Sequence, residues 1–344
     1  MRPIQNNTTR REFFRNAAIG AAGISIMNSH AIAVQKPKGG LPAVGQAPRG
    51  VLPGVEDGSK YGKHVIREPF YKATEEFGGG TIFKSTGEDN AGAIFEHHYI
   101  DNLSWSIDEA RTHDTHELLC FLGGNPKSIR DLGAEIRISL GNDNEEHIIN
   151  DATVVSIPAG LKHGPIFVNK YSEPIVLLRI INTREYENKL RSESEEEYML
   201  SQKTLIEGSN VLKYGKKYWM NIVRGPLFID YEPGWTGTSI WAHHNEYKNG
   251  TTLGYHCIIS TYDVPFTHAH GFHESLCFLS GDPENPGELG ADVSVCLGDE
   301  LEKHTFNVPT IISMPPGLKH CPLLVENVTK PVVFLEVSAT KDFG

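Results

Sequence analysis

Apolar and polar positions alternate with period two in Glu135-Ile-Arg-Ile-Ser-Leu140 and in Asp292-Val-Ser-Val-Cys-Leu297, and each run stops at a glycine, Gly141 or Gly298. Alternation of this kind places one face of a strand against a core and the other against solvent. Val154-Val-Ser-Ile157 and Ile311-Ile-Ser-Met314 are short apolar runs closed by proline; Pro174-Ile-Val-Leu-Leu-Arg-Ile180 and Pro331-Val-Val-Phe-Leu-Glu-Val337 are longer ones. Many short strands separated by turn signals predict an all-β barrel or sandwich, with little helix inside these regions. The exception is Arg184 to Leu200, an acidic stretch that reads as a solvated helical linker.

The pattern occurs twice. His113-Asp-Thr-His116-Glu117-Leu-Leu-Cys120 matches His270-Gly-Phe-His273-Glu274-Ser-Leu-Cys277, and Pro158-Ala-Gly160-Leu-Lys-His163 matches Pro315-Pro-Gly317-Leu-Lys-His320. Both pairs are offset by 157, and residues 112–180 align without a gap, with 29 identities in 69 positions. Upstream, Lys60-Tyr-Gly-Lys63 matches Lys213-Tyr-Gly-Lys216 at an offset of 153, which implies four extra residues in the second copy. The expected organisation is an extended Gly/Pro/Ala-rich arm at 34–59, a first domain at 60–182, a linker at 183–209 and a second domain at 210–344.

Composition narrows the partners. The 344 residues carry 32 Lys plus Arg against 43 Asp plus Glu, a net charge of −11. That argues against nucleic acid and anionic lipid, which both require a positive surface. No apolar run is long enough for a spanning helix. Five cysteines are too few for a disulfide-built scaffold, and the odd number leaves at least one without an intrachain partner.

Residues 1–33 read as an address. Thr9-Arg10-Arg11-Glu12-Phe13-Phe14-Arg15 is followed by a weakly apolar stretch, Ala17 to Met27, and by the small-residue pattern Ala31-Ile32-Ala33. This resembles a twin-arginine export signal, and implies the twin-arginine export machinery as a partner and the periplasm or the cell exterior as the destination. Its removal would take Arg2, Arg10, Arg11, Arg15 and Glu12 with it and leave a net charge of −14.

In the second copy, His268, His270 and Glu274 are spaced so that one extended strand could present all three inward, and the Pro315-Pro-Gly317 turn could bring His320 from another strand. Three imidazoles and a carboxylate suit a divalent transition metal, Fe or Mn first and Zn, Ni or Cu as alternatives. These motifs, H-x-H-x3-E and P-x-G-x-x-H, resemble those of the cupin superfamily. Two copies in one chain resemble a bicupin, which implies two tandem jelly-roll barrels. In the first copy the equivalents are Arg111, His113, Glu117 and His163, so a ligand position holds an arginine. Three readings follow: a weaker metal site on His113, Glu117 and His163; a lost site in which Arg111 pairs with Glu117; or an anion site in which Arg111 binds an acidic substrate group. Exported oxalate-degrading bicupins resemble the chain in layout but carry complete H-x-H motifs in both halves, so Arg111 argues against oxalate.

Two functional classes remain. One is an exported metal-dependent enzyme on a small organic molecule, of dioxygenase, decarboxylase, lyase or isomerase type. The other is a non-catalytic metal-dependent binding or storage protein. A homo-oligomer is compatible with either. By strand alternation, His116 and His273 are expected to face away from the motif glutamates. His147 and His304 are expected to serve turns or the surface, Cys120 and Cys277 to be buried, and Cys321 is a candidate redox group beside His320. His97, His98, His243, His244 and His256 have no assigned place.

Overall fold

The computed structural model describes residues 59–72, 81–85, 92–225, 228–229, 236–341 and 343. The export signal expected at 1–33 and nearly all of the arm expected at 34–59 lie outside these residues. Among the described residues, each half of the chain forms a seven-stranded and a four-stranded antiparallel sheet. In the first half the large sheet runs Ile222–Arg224, Thr153–Ile157, Glu117–Gly123, Ile175–Asn182, Ala93–Ile100, Thr81–Lys84 and Phe70–Lys72. The small sheet runs Ser106–Ile107, His163–Tyr171, Asp131–Leu140 and Glu145–Asp151. The second half repeats this order from Val65–Arg67 through Thr310–Met314, Glu274–Ser280 and Val332–Ser338 to Thr252–Ile258, Ser239–Ala242 and Phe228–Ile229. Its small sheet is Tyr262–Val264, His320–Glu326, Asp292–Leu297 and Glu302–Phe306.

The alternating strands behave as their patterns require. Ile136, Ile138 and Leu140 point into a core closed on its other side by Leu119, Phe121, Val155 and Leu177. Val293, Val295 and Leu297 do the same opposite Leu276, Phe278, Ile312 and Phe334. The strands without alternation are buried on both faces. Their outward residues, Leu118, Cys120 and Leu178 of one half and Cys277, Val333 and Leu335 of the other, form a single apolar cluster that joins the two large sheets back to back. Burial on both faces is the physical reason those runs read as continuously apolar.

The acidic stretch is two helices, Arg184–Glu193 and Glu195–Glu207, the first capped by Thr183, whose side chain accepts from the Tyr186 amide. No helix among the described residues is long and apolar enough to cross a membrane.

Two features depart from the sequence expectation. The edge strand Val65–Arg67, expected in the domain at 60–182, pairs with Thr310–Met314 of the second half. Reciprocally, Ile222–Arg224, expected in the domain at 210–344, pairs with Thr153–Ile157 of the first half. Each barrel is therefore completed by a strand that precedes the other in sequence. The chain crosses over at Glu68 and Gly225, both at positive φ and 157 residues apart.

The arm register also differs. The structural counterpart of Tyr61 in the second copy is Tyr218, not Tyr214. The Tyr61 amide donates to Glu302 Oε1 at 3.0 Å and the Tyr218 amide to Glu145 Oε1 at 3.0 Å. A side chain at Gly298 would meet the Tyr61 ring at 2.2 Å, and one at Gly141 the Tyr218 hydroxyl at 2.2 Å and its ring at 2.4 Å. The offset is 157 here too, and the Lys213-Tyr-Gly-Lys216 match is a local coincidence: Tyr214 is exposed and occupies no such slot.

Candidate metal centre

In the second half the donors come from three separate pieces of chain. His268 and His320 form an isolated antiparallel bridge, the His268 amide donating to the His320 carbonyl at 3.1 Å and the reverse bond measuring 2.9 Å. This pairing sets the two imidazoles side by side, centroids 4.1 Å apart. His270 follows in an irregular segment, and the strand starts only at Glu274, so the three motif residues do not lie on one extended strand as the spacing suggested. A bend at Gly271-Phe272 makes the convergence instead. The turn before His320 has Gly317 at φ +84, and its amide donates to the His270 carbonyl at 2.8 Å, tying the turn to the ligand segment.

Candidate donor atoms of His268, His270 and His320 lie within 4.8 Å of one another. Glu274 Oε2 lies 3.5 Å from His270 Nε2 and 3.6 Å from His320 Nε2, while its other oxygen accepts from Ser338 Oγ at 3.1 Å. His268 Nδ1 contacts the Phe266 carbonyl at 2.9 Å and His320 Nδ1 the Leu318 carbonyl at 3.1 Å. A carbonyl can only accept, so Nδ1 carries the proton in both rings and Nε2 offers its lone pair toward the centre. Burial pushes the His320 imidazole down to about 3, which keeps it neutral and available as a ligand. His320 Nε2 is buried without a hydrogen-bond partner among the described residues. Lone pairs aimed at one point by backbone carbonyls behind them are what a divalent transition ion requires, so this donor set fits a metal.

The first half repeats the frame with different surroundings. Arg111 bridges to His163 as His268 does to His320, and Gly160, at φ +84, donates to the His113 carbonyl at 2.8 Å. Glu117 Oε2 lies 3.2 Å from His113 Nε2 and 3.6 Å from His163 Nε2, and these residues form a second convergent group. His163 Nδ1 donates to the Leu161 carbonyl at 3.1 Å. Glu117 Oε1, however, accepts from Arg179 Nε at 2.7 Å, and Arg179 reaches on to Glu96, which also binds Lys84 at 2.7 Å. Burial alone would raise the Glu117 pKa, but Arg179 and the neighbouring imidazoles hold the carboxyl down at about 2. Arg179, rather than Arg111 alone, is thus the cation that stabilises this carboxylate. Burial lowers the Arg111 pKa, with Glu117 opposing the shift.

The two halves can be compared position by position through strand pairing. Lys84, Glu96 and Arg179 lie across one row of the first large sheet, and Trp241, Gly254 and Glu336 across the same row of the second. The ion-pair chain of the first barrel is replaced by an indole, a glycine and a carboxylate that bonds His256 Nε2 at 2.9 Å. Composition and motif spacing did not point to these residues. A signal was present, because a charged residue interrupts the same apolar strand in both copies, as Arg179 and as Glu336.

The remaining histidines now have places. His116 and His273 face away from the site and contact Ser156 Oγ at 2.9 Å and Ser313 Oγ at 3.0 Å, as alternation required. His97 stacks on Tyr255 between the halves, and His98 lies 3.8 Å from Glu96. His243 caps the short helix His244–Tyr247, and His244 Nδ1 accepts from the Gly250 amide. His147 and His304 are buried rather than superficial, each against the glutamate that clasps a crossing segment, at 2.8 and 2.9 Å. All five cysteines are free thiols; Cys120 and Cys277 are buried, and burial raises the Cys321 thiol far above the range of a redox group at neutral pH.

Solved structures match this architecture. A variant of Bacillus subtilis oxalate decarboxylase superposes with a TM-score of 0.50 at 12% identity, over 81% of this chain and 78% of that one. The chain has the bicupin fold. A second structure of the Bacillus subtilis enzyme, one concerned with its Mn(II) centres, gives a TM-score of 0.47 at 14% identity over the same shares. No protein-family model matches this chain, and neither does any curated protein.

Proposed function

We propose that this chain is an exported, metal-dependent bicupin that acts on a small organic molecule at an ion held by His268, His270, Glu274 and His320. The observation that carries the reading is the pair of Nδ1–carbonyl contacts behind His268 and His320, which leave both Nε2 lone pairs free to converge with His270, that of His320 lying 3.6 Å from Glu274 Oε2. A bound divalent ion, Fe or Mn first, supplies a Lewis acid for a substrate oxygen or a site for dioxygen, and so suits dioxygenase, decarboxylase, lyase or isomerase chemistry. The protein's part is to hold the imidazoles neutral and oriented. Ser338 fixes one oxygen of Glu274, and the other faces His270 and His320, where an ion would be held.

Residues 1–33 support export by the twin-arginine route to the periplasm or beyond. Chelation followed by reloading with iron or manganese, with turnover measured across small acids, phenols and diols, tests the enzymatic reading. Ion-dependent turnover supports it; tight stoichiometric binding with no turnover would make the chain a binding protein. Changing Arg10→Lys together with Arg11→Lys should retain the folded protein in the cytoplasm, and its appearance outside at normal levels would refute the export reading.

A further inference from the structure

The two barrels share a donor frame but not what surrounds it, and the difference points to a ligand. On the second-half centre, Phe272 stacks on His270 with centroids 4.9 Å apart and planes at 11°. Phe343 lies 5.1 Å from His270, 5.2 Å from Phe272 and 6.3 Å from Trp241. These rings form a continuous aromatic wall beside the half-buried His270. Trp241 has its place because position 254 is glycine: a side chain there would stand 2.7 Å from the indole and 2.6 Å from His256. In the first half the position matching Phe272 is Thr115, and the row matching Trp241, Gly254 and Glu336 is occupied by Lys84, Glu96 and Arg179.

Charge separates the halves as sharply. Lys84, Glu96, Arg111 and Arg179 give way to Trp241, Gly254, His268 and Glu336, so the second centre loses three cations while the number of carboxylates stays at two, Glu274 and Glu336. A preformed organic anion would meet two carboxylates there without a guanidinium or ammonium from any of those positions. Resting on the metal site assigned above, we propose that the second-half centre binds a small planar aromatic carrying neutral hydroxyl donors, a phenol or catechol, with its ring against Trp241, Phe272 and Phe343 and an oxygen toward the ion.

Titration calorimetry on metal-loaded protein tests this with catechol, benzoate and oxalate as probes. Catechol should bind at least about tenfold more tightly than either anion, because its ring is worth an aromatic contact and its neutral form avoids repulsion by Glu274 and Glu336. Phe343→Ala, with metal content unchanged, should weaken catechol about 2- to 13-fold, the span of one lost aromatic pair, and leave oxalate unaffected. Phe272→Leu, which keeps bulk but removes the ring, should act in the same direction. Tighter binding of oxalate or benzoate, no binding of catechol, or an unchanged catechol affinity in both variants would overturn the proposal while the metal reading stands. If elemental analysis finds no metal after loading, the metal reading fails first and the aromatic proposal falls with it.

Discussion

Arg179 and Glu336 occupy the same position of the repeat, paired across their sheets with Leu119 and Leu276, and carry opposite charges into the two barrels. In the first barrel the arginine neutralises Glu117 and Glu96. Removing it leaves Glu117 beside imidazoles alone and Glu96 beside Lys84, without the guanidinium between them, and a broken buried ion pair typically costs about 3–5 kcal/mol. Arg179→Met should therefore lower the unfolding free energy by that order, measured by urea denaturation. A loss below about 1 kcal/mol would mean that Lys84 and the histidines suffice to hold those carboxylates.

The exchanged strands give a second test. Gly298→Ala places a methyl group where the Tyr61 ring lies, at φ +75, and should lift the crossing segment off the second barrel. Trypsin cleavage at Lys60 or Lys63 should rise. Gly317→Ala is the control: it has φ +84 but nothing within 4 Å of the new methyl, so it carries the backbone cost of about 1–2 kcal/mol without the collision. Equal cleavage in both variants would show that strain, not the tyrosine contact, governs the segment.

Leu301 and Asn144 sit at equivalent turns with φ of 53 and 52. Asparagine adopts this conformation at lower cost than leucine, and Leu301 is also an exposed apolar side chain. Leu301→Asn should stabilise the protein by about 1 kcal/mol, read as a shift in the denaturation midpoint.

The junction between the halves should fail in acid. Burial pushes His97 and His116 down to about 3. Their folded pKa values lie below the unfolded value of 6.5, so the unfolded chain takes up the proton first. Their contribution is complete above about pH 6.5 and is lost as pH falls from there toward 3, at up to about 1.4 kcal/mol per pH unit for each group. Glu117 adds a loss below its ordinary range, as pH falls from 4.5 toward 2. His97→Gln should flatten the upper part of the stability–pH curve; an unchanged slope would assign the acid loss elsewhere.

Much of this was legible in the sequence because the repeat supplied its own control. Period-two runs fixed the small sheets, and two matched motifs located both donor groups. The strand exchange was not legible, since Val65–Arg67 and Ile222–Arg224 are equally apolar and either barrel could accept either one. The false match at Lys213 arose for a related reason: what marks the true counterpart is a ring lying on a glycine over two hundred residues away for Tyr61 and Gly298, a contact without local signature. The single-strand picture of His268, His270 and Glu274 failed because a backbone bridge to His320, not strand alternation, orients His268. The aromatic wall was hidden because Trp241, Phe272 and Phe343 come from three distant segments.

Elemental analysis of three purified proteins tests the central claim most directly: the wild type, the His270→Ala, Glu274→Ala double variant, and His113→Ala. In the second half three imidazoles converge, with Glu274 Oε2 3.5–3.6 Å from two of them, whereas the first half has Arg111 in a ligand position and Glu117 held by Arg179. The account predicts one tightly held transition ion per wild-type chain, none in the double variant, and an undiminished ion in His113→Ala. Loss of the ion from His113→Ala with retention in the double variant would contradict it and move the centre to the first barrel.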